Sequence, residues 1–175
     1  MGGGLKSIII KTNVKPKYFT IACAEMYMYI GVISKIYKNI KIIHCERNFK
    51  DLAVSLYKGH YKNQNMNWTN DLSEIVNFYK FHNENMKYWD IPENIMKSIK
   101  YEDLVKNFSL VTHDLEKFLD IDKQDLDFFY QKREKVTSED NISLNKKINT
   151  DLVDDWKNYE RYICEINYLF AYSLT

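Results

Sequence analysis

Apolar residues fall into two kinds of pattern along this chain. Ile40 to Cys45 (IKIIHC) is a nearly continuous apolar run of strand length, the pattern of a parallel strand buried on both faces. Ser7 to Lys11 (SIIIK) and Ile95 to Tyr101 (IMKSIKY) read as further strands, although Asn-Val-Lys-Pro interrupts the first. Elsewhere the spacing is helical. Ala22 to Tyr37 has helix length and ends in the polar Lys38-Asn39, which predicts a helix packed on a sheet. Asn48 can cap a helix, with Asp51 three residues on, and Leu52, Val54, Leu56 and Tyr57 carry it to about Gly59. Residues 60–70 are polar and Asn-rich, a surface loop. Leu72, Ile75, Val76, Tyr79, His82, Met86 and Trp89 then recur at helical spacing up to Pro92. Leu104 to Leu119 and Gln124 to Lys132 predict shorter helices. A last amphipathic helix is predicted from about Thr150, with Leu152, Trp156, Tyr159, Ile163 and Phe170 on one side.

Strands alternating with helices imply an α/β fold, a parallel sheet flanked by helices whose ligands sit beyond the carboxyl ends of the strands. The helix-rich C-terminal third is expected to cover one sheet edge. At 175 residues the chain suits a single domain with a core that needs no staples. Cys23, Cys45 and Cys164 are too widely spaced for a disulfide framework or a zinc site and read as reduced thiols, which points to a cytoplasmic location. No apolar run reaches membrane-span length, and MGGGLKS lacks the apolar core of a signal peptide. A net charge of +1 gives no global basic footprint for nucleic acid. The five glycines form neither a G-x-x-x-x-G-K-[ST] loop nor a G-x-G-x-x-G turn, so no self-contained phosphate cradle of those kinds is present. That also weighs against a small-molecule kinase.

Lysines outnumber arginines 22 to 3, which makes each arginine informative. Arg47 follows the IKIIHC strand and Ser55 lies eight residues on, along the helix that the strand runs into. A guanidinium donates two parallel hydrogen bonds to an oxyanion, a helix hydroxyl can add a third, and the helix N-terminus favours negative charge. The plainer alternative pairs Arg47 with Asp51 on the surface and leaves Ser55 a neutral filler. Glu25 reads as a dipole partner at a helix start and His44 as a core histidine with a hydrogen-bonded ring. His60, His82 and His113 are dispersed, with no pair at metal-ligand spacing, so no metal is expected.

The segment IIHCERNFKDLAVSLYKGHY resembles the 3′-phosphate-binding section of sulfotransferases that use 3′-phosphoadenosine 5′-phosphosulfate (PAPS), with its strand, R-[ND]-x-x-D-x-x-x-S signature and helix. Upstream, YIGVISKIYKNIKIIHCERN is similar to the Y-x-G-x-I-x-x-x-x-P-N-A-x-I-I-H-x-x-R run of the bacterial tetratricopeptide-linked branch and of tyrosylprotein sulfotransferases. Downstream, IKYEDLVKN resembles the family's YEDLV turn, KFLDID its FLGL helix end, and the stretch EKVTSED to DDWKNYE its V-x-T-x-S … W-x-x-Y cap segment. The resemblance spans about residues 27–160. It implies a P-loop-NTPase-like α/β fold and PAPS as the nucleotide co-substrate. Carried over position by position, Arg47 and Ser55 would hold the 3′-phosphate and Tyr101 would pack near the adenine. Lys146 would reach the phosphates from the cap, and Arg133 would brace it. Tyr101 as a core aromatic and Lys146 as a solvated lysine remain open as alternatives.

Departures from the family pattern bear on activity. Nothing before Arg47 resembles the Thr- or Ser-rich loop that grips the 5′-phosphosulfate. Ile21 to Met26 stand in the register of the branch's D-K-x-P-x-N string, and Asn13 stands where cytosolic relatives carry a histidine after Lys-Thr. The resemblance thus implies a partial domain over 1–175, incomplete at its N-terminus, with no catalytic base named. Two readings stand side by side. One is sulfuryl transfer from PAPS to an acceptor hydroxyl or amine of unknown identity. The other is a non-catalytic nucleotide-binding or interaction module on a degenerate sulfotransferase scaffold.

Overall fold

The computed structural model describes residues 18–22, 24–59, 61, 64–123 and 149–161. Within them, strands β1 (Ile42–Glu46) and β2 (Met96–Lys100) pair in parallel, with His44 opposite Ser98 and Glu46 opposite Lys100. Parallel neighbours need a long crossover. Helix α2 (Phe49–Lys58), a 3-10 segment (Gln64–Asn70) and helix α3 (Leu72–Tyr88) supply it. A 3-10 turn (Ala24–Met28) and α1 (Ile30–Ile36) precede β1; α4 (Tyr101–Lys106) and α5 (Phe108–Leu119) follow β2; a last 3-10 turn spans Asp155–Tyr159. The result is a mixed helical fold around a small parallel sheet, in keeping with the α/β expectation.

Local chemistry sets the two main helices. Asn48 caps α2 through its side-chain oxygen, which accepts from the Lys50 N–H at 2.9 Å. Asp71 caps α3, accepting from Ser73 N–H at 2.7 Å and Glu74 N–H at 3.2 Å. Each helix carries an acid in its first turn and a lysine in its last, both favourable to the helix dipole. Their facing stripes make the core: Phe49, Ala53 and Val54 of α2 meet Ile75 and Val76 of α3, with Trp68, Tyr79, Trp156 and Tyr159 packed around them.

Several expectations change here. β1 is parallel, but among the described residues it is not buried on both faces: Ile43 is 39% exposed and Cys45 also faces outward, while Ile42 and His44 are half-buried on the other face. The predicted helix from Ala22 is a 3-10 turn and a short α-helix, because Tyr29 (φ −122°, ψ −1°) leaves helical geometry between them. The turn lets Tyr27 present its carbonyl to the Trp89 indole N–H at 3.0 Å. Leu104–Leu119 divides at Asn107 (φ −126°, ψ 45°), and Tyr101 opens α4 instead of closing β2. Part of the Asn-rich loop winds into the 3-10 segment.

The predicted helix from Thr150 is absent as far as residue 161. Asp154 adopts a left-handed conformation (φ 63°), and residues 150–159 cross α2 as an irregular strap ending in the 3-10 turn. The cause is tertiary: the Asp51 carboxylate accepts from the Asp154 N–H at 2.9 Å and the Trp156 N–H at 3.0 Å, donors that a helix begun at Thr150 would spend on its own carbonyls four residues back. The expected strand at 7–11, the helix at 124–132 and most of the C-terminal third lie outside the described residues.

Candidate functional site

Both strands end on the same side of the sheet, and the residues that follow them meet there. Arg47 leaves β1 and Tyr101 leaves β2, with the guanidinium carbon 4.9 Å from the Tyr101 ring centroid. Next to them, Glu102 accepts the Asn48 N–H at 2.8 Å, joining the exit of β2 to the start of α2. Arg47 and Tyr101 are thereby held in register by a carboxylate that the sequence reading passed over. The adjacency of Tyr and Glu in the YEDLV string was the available signal.

Arg47 is half-buried. Its Nη2 donates to the Leu152 carbonyl at 2.9 Å, and its Nε is buried with no acceptor among the described residues. A buried N–H without a partner costs free energy, which makes it a donor waiting for an acceptor. The surface pair between Arg47 and Asp51 is not what forms. Asp51 is 1% exposed and committed to the strap.

Ser55 is half-buried one turn beyond Asp51, and Lys58 follows at the next helical step, so 51, 55 and 58 share one stripe of α2. That stripe faces the strap: Lys58 pairs with Asp155 at 3.1 Å and lies 4.3 Å from the Tyr159 ring centroid, and Lys50 lies 4.0 Å from that of Trp156. Ser55 is thus placed on the flank toward which Arg47 also reaches. Hydrogen bonding to Tyr159 raises the Lys58 pKa, opposed by burial and helped by Asp155. At Asp155 burial works upward, but hydrogen bonds from Lys58 and Asn158 and the charges of Lys58 and Arg47 outweigh it and hold the carboxyl below its ordinary range. Lys146 and Arg133 lie outside the described residues.

The histidines depart from the expected dispersal. His44 is a packed, half-buried histidine as expected, with Nδ1 3.2 Å from Ser98 Oγ and 3.4 Å from Glu46 Oε1. His82 of α3, however, stacks on it with ring centroids 5.4 Å apart, and Tyr27 lies 4.7 Å from His82. Burial, and then His82, lower the His44 pKa, against the opposing pull of Glu46. Among the described residues no three His, Cys, Asp or Glu side chains converge as metal ligands, and no helix is long and apolar enough to cross a membrane.

Chemically, the strand ends offer a planar cation with one unsatisfied N–H, an aromatic face and the first turn of a capped helix. That set suits an oxyanion attached to a flat ring. Comparison with known proteins points the same way. The family profile described as "Sulfotransferase family" matches residues 4–125, more than half of the chain. An uncharacterised protein of Aquifex aeolicus (strain VF5) is 28% identical over 143 residues, covering 79% of this chain and 19% of the relative, so the chain spans about a fifth of that protein's length.

Proposed function

Because the chain belongs to the sulfotransferase family, we propose that it binds the 3′-phosphoadenosine portion of PAPS at the carboxyl ends of β1 and β2, serving sulfuryl transfer to an acceptor hydroxyl or amine. The observation that carries this reading is the buried, unpartnered Arg47 Nε above the strand ends, beside Tyr101. When bound, PAPS supplies the activated sulfuryl group. The chain's own residues provide recognition. Arg47 donates through its fork to the 3′-phosphate, Ser55 adds a hydroxyl from the α2 flank, and the Tyr101 ring packs near the adenine. Lys146 reaches the phosphates from the C-terminal side. The parallel sheet is then the P-loop-like scaffold that such a site uses.

A second reading, nucleotide binding without transfer, is favoured by His44. This imidazole lies three residues before Arg47 but is packed against His82 and directed at Ser98, a structural placement. Calorimetry with adenosine 3′,5′-bisphosphate and adenosine 5′-monophosphate tests recognition, and a radiolabelled sulfate-transfer assay separates the two readings. The 3′-phosphorylated nucleotide is expected to bind more tightly, and Arg47→Ala to weaken it by roughly tenfold to a hundredfold, the loss of a charge-assisted contact of roughly 1.5–3 kcal/mol. Arg47→Lys should rescue part of that loss, because a point charge replaces a fork. Equal affinity for the two nucleotides would remove the 3′-phosphate assignment.

A further inference from the structure

The strap over α2 does at Arg47 what an anion would do. The side-on fork of a guanidinium consists of Nε and Nη2, the pair that grips two oxygens of one phosphate. Here Nη2 gives one of its two N–H groups to the Leu152 carbonyl at 2.9 Å while Nε is buried without an acceptor. The fork already has a backbone carbonyl at one of its two nitrogens.

Charge on the strap has the wrong sign for company at an anion site. Residues 151–155 carry three carboxylates, Asp151, Asp154 and Asp155. Asp155 also lies close enough to Arg47 to feel its charge. An incoming phosphate beside Arg47 would meet Asp155 as a like charge, and like charges repel. The strap is nevertheless well tethered. Asp51 takes two of its N–H groups, Lys58 holds Asp155, and Lys50 rests on Trp156. Asp154, one of the tethered residues, sits at φ 63°, a left-handed conformation that aspartate adopts more readily than most residues with a side chain.

We infer that the Asp151–Trp156 strap is an internal competitor for the oxyanion: it occupies Arg47 through the Leu152 carbonyl and must lift from α2 before both tines of the fork can engage a phosphate. This rests on Arg47 being the oxyanion site. Asp51 and Asp155 are the groups that hold the strap down, so they oppose binding without touching the ligand.

The test uses the whole chain with adenosine 3′,5′-bisphosphate as probe, read by calorimetry and by hydrogen exchange over residues 152–156. Binding to the wild-type chain is expected to speed exchange at the Asp154 and Trp156 amides. Asp155→Asn removes a partly exposed pair and a nearby charge and is expected to tighten binding by up to about fivefold, the range such pairs are worth. Asp51→Asn should act in the same direction; Asp155→Asn and the wild-type exchange measurement decide the matter if that buried substitution does not fold. Slower exchange on binding, or weaker binding by Asp155→Asn, would make the strap part of the site and overturn the inference. So would binding that leaves both exchange and the variants' affinities unchanged, with nucleotide recognition still standing. Binding seen in Asp155→Asn but not in the wild-type chain would support the competitor. Absence of binding in every form would overturn this inference and the proposed function together.

Discussion

Gly31 is the position where a single methyl group should do the most damage for its size. A Cβ built there would lie 1.9 Å from Trp89 Cε3, 2.4 Å from Cζ3 and 2.7 Å from Cδ2. The closest approach is about 1.5 Å inside ordinary carbon–carbon contact. The ring cannot swing away freely, because its Nε1 donates to the Tyr27 carbonyl at 3.0 Å and a shift of that size would break the bond. Overpacking costs about 1–3 kcal/mol and the lost hydrogen bond about 1 kcal/mol. Alanine returns up to about 1 kcal/mol through its better helix propensity. Gly31→Ala is therefore expected to destabilise the chain by roughly 1–3 kcal/mol, measured as a lowered urea midpoint at unchanged slope. The control is Trp89→Leu. In that background the clash is gone, so adding Gly31→Ala should be neutral or slightly stabilising. An equal loss in both backgrounds would show that the contact between Gly31 and Trp89 is not the cause.

Other expectations follow from the described contacts. The lowered His44 pKa means that below about pH 6.5 the unfolded chain takes up a proton that the folded chain resists, so stability should fall as pH drops from 7 toward 5. His44→Gln should flatten that part of a melting-temperature profile, and an unchanged slope would assign it elsewhere. Asp71→Ala removes the oxygen that serves two N–H groups of α3 and should cost about 1 kcal/mol in chemical denaturation, with Asp71→Asn recovering most of it.

What could be read in the sequence was local. The helix from Asn48 to about Gly59 is where expected because its cap, its first-turn acid and its apolar stripe all lie within a dozen residues. The parallel pairing of β1 and β2 follows from the helices between them. Tyr101, singled out through the YEDLV string as a residue near the adenine, is found beside the Arg47 guanidinium, a neighbour the string did not name. The misses depend on partners far along the chain. Asp51 looked like a helix-start acid with Arg47 at hand, but its carboxylate is spent on N–H groups 103 and 105 residues away, and that choice also stops the expected helix after Thr150. The stack of His44 on His82 joins a strand to the fourth turn of α3, a relation no spacing rule expresses. The open side of β1 at Ile43 and Cys45 was hidden by an apolar run that reads the same for one buried face or two.

Those long spans have a kinetic side. The strands and the helices between them are brought together by loops of some fifty residues, as between His44 and Ser98, whereas seating the strap on Asp51 closes a loop about twice that length. Loop-closure entropy grows only with the logarithm of length, so the strap's docking is thermodynamically tolerable. It nevertheless waits on a preformed α2, because Asp51 presents its carboxylate to the strap only once that helix exists. The strap's seat therefore exists only where α2 is already formed, and the same seating that satisfies Asp51 brings the Leu152 carbonyl onto Arg47, so one docking contact sets the environment of both side chains.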